Sequence, residues 1–424
     1  MSRFGVVAPA FYSHFQAFQA LASALIDRGH GVTFFQQVDT RRWLTDPRIG
    51  FVAVGSDSHP LGSLDRSLQR AATSNHPLRL RGVIRDLCAN TGMLCQALPP
   101  ALNQAGVDVV LCDQMEAAGG LVAEALGMPF LSVACALPVN REPGIPLAVM
   151  PFAYGEDERQ RRLYEGSQRV YDWLMRPLRD VIRQACRRFG IEPRDGLHQC
   201  LSSYAQISQT ITGFDLPRQQ LPAHYHAVGP LRAPFSGGVG QWPIDPGRPF
   251  VFASLGTLQG DRVGMFHQIA KACARLDAQL LIAHCAKLGL AQEERLRRAG
   301  ATWVTSYAPQ QWVLDHAHVV VTHGGLNTVM DAIKARTPAL VMPIGFDQPG
   351  VAARVVHAGI GLQVNRRARA STIHDALKRL LEHPVERLQR LAAELEQAGG
   401  TPRAADIVER VARTGCAVLG GPAQ

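Results

Sequence analysis

Nowhere in its 424 residues does the chain hold the roughly 18 uninterrupted apolar residues that a membrane-spanning helix requires. The opening Met1-Ser-Arg-Phe-Gly-Val-Val-Ala-Pro contains only a strand-like run, far shorter than the apolar stretch of a secretory signal, so a cytoplasmic location is expected. Nine cysteines include no Cys-x-x-Cys pair, and several stand inside apolar runs such as Val109-Val110-Leu111-Cys112. A disulfide framework and a zinc site are therefore both unexpected. Gly-x-Gly-x-x-Gly follows the first strand of neither half, and Gly-x-x-x-x-Gly-Lys-Ser/Thr is absent, which leaves a nicotinamide, flavin or P-loop site without support.

Of what is present, 46% hydrophobic and 19% charged residues describe a folded protein too long for one ordinary core, and two domains are expected. The net charge of +9 suits a phosphorylated substrate or an anionic membrane surface. Nucleic acid is not an expected partner, because no nucleic-acid-binding signature accompanies the charge.

Phe4 to Ala8 reads as a buried strand; Phe18, Leu21, Ala22 and Leu25 then recur at helical spacing until Gly29, and Gly31 to Phe35 starts a second strand. The same βαβ pattern returns in strand Val107 to Cys112, helix Ala117 to Leu126 and strand Pro129 to Ala134. From Gly213 to Pro249 the chain is rich in proline and glycine, including Ser236-Gly-Gly-Val-Gly, and the domain boundary belongs here: 1–230 and 231–424. A second series follows: strand Phe250 to Ser254, helix Met265 to Leu276, strands Gln279 to Ala283 and His318 to Thr322, helix Thr328 to Ala335, strand Ala339 to Met342. The expected fold class is α/β, with two Rossmann-like, doubly wound parallel sheets facing a cleft at the carboxyl ends of their strands.

The most informative stretch runs from Tyr307-Ala-Pro-Gln310 through His323-Gly324-Gly325-Leu-Asn327-Thr328 and Asp331 to Asp347-Gln348. A strand, a glycine turn and a helix start present bare backbone N–H groups at a helix N-terminus, a ready site for a diphosphate. Asp331 stands one turn deeper on the face of Asn327, where a carboxylate can accept from two ribose hydroxyls. Simple helix capping accounts for Asn327 and Thr328 taken singly, but it does not call for His323 or the paired glycines.

This constellation resembles the C-terminal signature of the UDP-glycosyltransferases of the GT-B fold, inverting enzymes. The resemblance implies uracil on Tyr307 and Gln310, diphosphate on His323, Asn327 and Thr328, ribose on Asp331, and sugar hydroxyls on Asp347 and Gln348. Ser254-Leu-Gly256-Thr257 resembles the family's second phosphate loop. Its rival reading, a Gly-x-Ser-x-Gly nucleophile elbow, lacks the first glycine because Phe252 stands there. Tyr307 occupies a position that is usually Trp in plant members, and Leu326 replaces another Trp. A C-terminal helix returning to the first domain is a further expectation.

In the first half, Ala8 to Ser13 carries His14 from a strand's carboxyl end into a helix start, facing the cleft. A helix N-terminus disfavours imidazolium, so a neutral ring able to accept a proton is expected, with Asp113 at the end of a neighbouring strand steadying the cation formed in reaction. The family uses such a pair to deprotonate the acceptor hydroxyl. UDP is a good leaving group, and with no Asp-x-Asp motif neither a metal nor another cofactor is expected.

Asp113 to Pro143, Phe252 to Gly260 and Phe346 to Ala352 are similar to the zeaxanthin glucosyltransferases of bacterial carotenoid biosynthesis in particular. That resemblance implies UDP-glucose as donor and zeaxanthin, or a related hydroxylated carotenoid, as acceptor, glucosylated at one end and then the other. Arg79 to Leu102 and Pro138 to Trp173 mix apolar and basic residues, as a region touching an anionic bilayer would, and equally as core-facing amphipathic helices would. Peripheral membrane contact without insertion is expected. The competing functions are a UDP-glycosyltransferase with another hydrophobic acceptor, a UDP-sugar 2-epimerase, and a sugar-nucleotide-binding protein without catalysis.

Overall fold

The computed structural model describes residues 1–73, 77–233, 240–383 and 385–420. In the first half, β1 (Arg3–Val7), α1 (Tyr12–Asp27), β2 (Gly31–Gln36) and β3 (Gly50–Ala53) are followed by helices α2 (Ser63–Ala72) and α3 (Pro77–Ala105). Then come β4 (Val109–Asp113), α4 (Ala117–Ala125), β5 (Phe130–Ala134), α5 (Glu158–Leu174), α6 (Arg176–Phe189), β6 (Gln206–Ser208) and β7 (Tyr225–Ala227). The second half opens with β8 (Phe250–Ser254), the single turn α7 (Gly256–Gln259), α8 (Val263–Arg275), β9 (Gln279–Ala283), α9 (Leu290–Arg298) and β10 (Trp303–Thr305). It continues through α10 (Gln310–His316), β11 (Val319–Thr322), α11 (Leu326–Lys334), β12 (Ala339–Val341), α12 (Gln348–His357) and β13 (Gly361–Gln363). Three helices close the chain: α13 (Ala370–Glu382), α14 (Glu386–Ala398) and α15 (Gly400–Thr414).

Each half forms its own sheet, β3-β2-β1-β4-β5-β6-β7 and β10-β9-β8-β11-β12-β13, and every recorded strand pair is parallel. Parallel strands covered on both faces read as continuous apolar runs, and their alternate residues feed opposite cores. In β1, Phe4 and Val6 enter one core and Val7 the other; in β8, Phe250 and Phe252 part from Val251 and Ala253 in the same way. The two sheets share one winding order, with the reversal between β1 and β4 in the first and between β8 and β11 in the second. Those reversals open crevices at the strands' carboxyl ends.

Gly399 and Gly400, at φ +86° and +52°, turn the chain between α14 and α15. Helix α15 thereby reaches the first domain, where Ala404 and Val408 join the core around β1 and α1. Arg28 reaches Asp406 and Glu409 at 2.7 Å each. A buried ion pair also spans the halves: Arg354 Nε on α12 donates to Asp215, between β6 and β7, at 2.6 Å, and Arg218 holds the other carboxylate oxygen.

The segment Pro138 to Trp173 is not one helix: residues 138–157 are irregular and α5 begins only at Glu158. Arg79 to Leu102 belongs to the 29-residue α3, and Leu94, Leu98 and Leu102 bury that helix against the core. Within the proline- and glycine-rich segment, Ser236 to Val239 lie outside the described residues.

Candidate functional site

His14 is the third residue of α1, directly beyond the carboxyl end of β1, and Asp113 closes the adjacent β4. Their side chains meet at 2.6 Å, His14 Nδ1 to Asp113 Oδ2, while Asp113 Oδ1 accepts from the Met115 backbone N–H. Asp113 is buried behind the ring, which leaves Nε2 as the nitrogen turned to the cleft. Burial pushes the His14 pKa down, but the charge and hydrogen bond of Asp113, joined by the charge of Asp347, overcome it and hold the pKa above its ordinary value. The carboxylate in direct contact thus opposes the lowering expected of the helix N-terminus. Cys135 lies beside Asp113, and burial, with the charge of Asp113, raises its thiol well above its usual range, so the sulfur stays protonated. Its Sγ lies within 4.8 Å of the His14 and Asp113 ligand atoms.

Across the cleft, Ser254 ends β8 and His323 follows β11, at the equivalent reversal of the second sheet. The His323 ring is clamped between two glycines: a Cβ on Gly256 or Gly325 would stand 2.7 or 2.8 Å from its Cε1. Gly256 also takes φ +75° and Gly324 φ +87°. Burial lowers the His323 pKa to about 4, so at neutral pH the ring is an uncharged donor. Helix α11 starts at Leu326 with Gly325 as its N-cap and no side-chain cap, which leaves its first N–H groups facing the cleft. Among the described residues no histidine hydrogen-bonds Ser254, so the nucleophile-elbow reading finds no base.

Asp331 accepts from Gln310 Nε2 at 2.7 Å and from Arg232 Nε at 3.1 Å. The carbonyl oxygen of Gln348 is occupied by the Ile344 and Gly345 N–H groups, both at 2.9 Å, so only its amide N–H is left for a ligand. Asp347 accepts from Leu137 N of the first domain, and its burial raises its pKa. Ser254, Gly256, Thr257, Gln310, His323, Gly325, Asn327, Thr328, Asp331, Asp347 and Gln348 line one cavity together with His14. Gly324 lies under the loop rather than in the wall. Tyr307 is not in the wall either: its side chain is exposed (residue 68%), because Thr305 Oγ1 ties the backbone of this turn while nothing draws the ring inward.

Three contributors escaped sequence reasoning. Arg232 is fixed through its backbone to Thr401 of α15 and donates to Gln209 of the first domain and to Asn327 O and Asp331 of the second. Phe346 holds φ +56°, an αL conformation that a bulky residue adopts only under constraint, and packs edge-on to Phe11 across the cleft at 6.0 Å. Cys135 is the third. The φ value of Phe346 and the approach of Arg232 come from tertiary packing and leave no local signal; Cys135 directly follows the apolar strand β5 and reads as core.

The cavity measures about 990 Å³ and runs between the domains. Its wall at α11 is polar; at the other end Val83 and Leu87 of α3, Met115, Val139, Met175 and Leu178 supply apolar side chains beside Arg141, Asp172, Arg179 and His198. It is suited to a ligand with a charged nucleotide at one end and a hydrophobic body at the other.

Residues 210–393 match the family described as "UDP-glucoronosyl and UDP-glucosyl transferase". The chain is 49% identical to a zeaxanthin glucosyltransferase of Pantoea ananas, over 99% of this chain and 98% of that one. It is 46% identical to a zeaxanthin glucosyltransferase of Pseudescherichia vulneris, over 97% and 98%. Among solved structures, the calicheamicin glycosyltransferase CalG4 superposes with TM-score 0.76 at 20% identity, over 98% of this chain and 99% of that one, a likeness that shows the GT-B fold.

Proposed function

We propose, on the premise that this chain belongs to the UDP-glycosyltransferase family and is a UDP-sugar-dependent enzyme, that it moves glucose from UDP-glucose to the hydroxyls of zeaxanthin or a closely related carotenoid. The observation that carries the reading is the His14–Asp113 pair, 2.6 Å apart, facing an uncapped helix N-terminus across a cavity whose far end carries large apolar side chains.

In this reading the diphosphate rests on the N–H groups of α11, with His323, Thr328 and the Ser254 to Thr257 loop beside it, Asp331 takes the ribose, and Asp347 and the Gln348 amide take the sugar hydroxyls. The acceptor hydroxyl gives its proton to His14 Nε2, its oxygen forms a bond to the anomeric carbon, and the bond from that carbon to the UDP oxygen breaks, inverting the centre. Asp113 stabilises the imidazolium as it forms. Negative charge growing on the departing diphosphate meets prearranged donors, so no metal enters the scheme. An acceptor with a hydroxyl at each end needs only one such site, used twice with release between, to give the mono- and then the diglucoside. Peripheral contact with a membrane surface is part of the proposal, because the acceptor dissolves in lipid; no spanning helix exists among the described residues.

The test is incubation of the protein with UDP-glucose and zeaxanthin, with products read by mass spectrometry. Formation of a carotenoid monoglucoside, later the diglucoside, together with free UDP is expected. Turnover of UDP-glucose to an epimer, or release of free glucose with the carotenoid unchanged, would contradict the reading.

A further inference from the structure

Helix α5 leaves one stripe of its surface uncovered. Leu163, Val170 and Trp173 are exposed by 46, 56 and 64%, and spacings of seven and three put them on one side of the helix. The one buried residue of α5, Tyr164, anchors the opposite side by stacking on Phe152 and donating to Ala153 O. Arg159, Arg162 and Arg169 follow the apolar stripe at helical spacing, Arg176 opens α6 just beyond it, and all four are exposed. Arg162 pairs with Glu158, whereas Arg159, Arg169 and Arg176 have no carboxylate partner among the described residues. Residues 158–189 hold nine arginines and four carboxylates.

The stripe ends at the rim of the cavity. Tyr171 and Asp172 of α5, with Met175, Leu178 and Arg179 just after it, form part of the cavity wall, and Trp173 points outward from between them. A helix with exposed large apolar side chains bordered by unpaired arginines matches an anionic lipid surface in both hydrophobicity and charge.

We propose that α5 docks flat on an anionic lipid bilayer, with Leu163, Val170 and Trp173 at the acyl boundary and the arginines on lipid phosphates, so that the apolar end of the cavity opens towards the membrane. This rests on the reading of the acceptor as a lipid-dissolved molecule: the acceptor then slides along the Val83–Leu178 wall to His14 without crossing bulk water. The docking surface itself stands apart from that reading and is tested without any acceptor.

The full-length protein is sedimented with vesicles of phosphatidylcholine alone and of phosphatidylcholine mixed with phosphatidylglycerol, at low and high salt. Binding to the anionic vesicles that falls as salt rises is expected. Arg169→Gln with Arg176→Gln should weaken it by on the order of tenfold or more, and Val170→Ser with Trp173→Ser should weaken it at both salt levels. None of these four side chains lines the cavity, so UDP binding by calorimetry should stay at the wild-type value and certify the fold. Equal binding to neutral and anionic vesicles, or variants that sediment like wild type, would overturn the proposal. So would a self-association abolished by Trp173→Ser without vesicle binding, since the face would then belong to a second copy. A protein that binds vesicles through α5 yet leaves zeaxanthin unglucosylated would keep the docking surface and remove the acceptor assignment.

Discussion

At the scale of single residues, the raised pKa of His14 sets a pH dependence with a definite sign. A base acts in its unprotonated form, so activity should be lost as pH falls through a value above the ordinary histidine pKa. Asp113→Asn removes both the charge and the hydrogen-bonded carboxylate that raise the ring and leaves the burial that lowers it. The acid limb of the turnover profile should therefore move to lower pH, together with a drop in rate smaller than that of deleting the imidazole; an unmoved limb would show that some other group controls it. Arg232 is the second residue with a measurable consequence. With Gln310 it holds both oxygens of the buried Asp331, and it touches both domains. Arg232→Ala should weaken UDP binding roughly tenfold, the cost of a lost charge-assisted contact. Tighter binding of UDP by calorimetry would mean that the guanidinium blocks the carboxylate instead of orienting it.

At the scale of elements, the loop between β11 and α11 works because the ring of His323 has glycine on both sides. Gly325 keeps an ordinary φ of −64°, so alanine there strains no backbone and acts only through its Cβ, 2.8 Å from the imidazole. Gly325→Ala should raise KM for UDP-glucose with little change in thermal stability; an unchanged KM would remove His323 from the donor site. The same elements show what the sequence could reveal. β8 and β9 were legible to the residue because each is a five-residue strand with four consecutive apolar residues that both faces of a sheet bury. β3, β6, β7, β10 and β13 have only three or four residues, too few for periodicity, and they lie outside the central strands. The His14–Asp113 contact, 99 residues apart in sequence, could be anticipated because adjacent parallel strands end on one rim. Arg232 could not, since its position depends on α15 returning from the far end of the chain to hold its backbone. Tyr307 marks the opposite case, a residue type fitting a motif whose side chain the local turn leaves outside the cavity.

At the scale of the whole molecule, two independently wound sheets make one site only because their crevices are held face to face. Gly350 permits this approach, since a Cβ there would overlap the Ala148 carbonyl of the first half. Asp215 supplies the polar lock. Burial alone would raise its pKa, but Arg354 and Arg218 prevail and lower it. A carboxylate with a lowered pKa contributes stability above its unfolded pKa, and that contribution fades as pH falls through the folded value. Asp215→Asn leaves the Arg354 guanidinium buried without its counter-charge, at a cost of about 3–5 kcal/mol. Urea unfolding should come earlier at neutral pH and show less loss on acidification than wild type; a transition at the wild-type position would mean that the pair contributes nothing to domain packing.

In the proposed reaction a proton leaves the acceptor for His14 while the sugar leaves a nucleotide held by the other domain. It is tested most directly by comparing wild type and His14→Ala for zeaxanthin glucoside formed from UDP-glucose, with UDP affinity measured on the same samples. Loss of about 10²- to 10⁴-fold in turnover with nearly unchanged UDP binding is expected. A folded His14→Ala protein that binds UDP and still glucosylates zeaxanthin within a few-fold of wild type would contradict the mechanism.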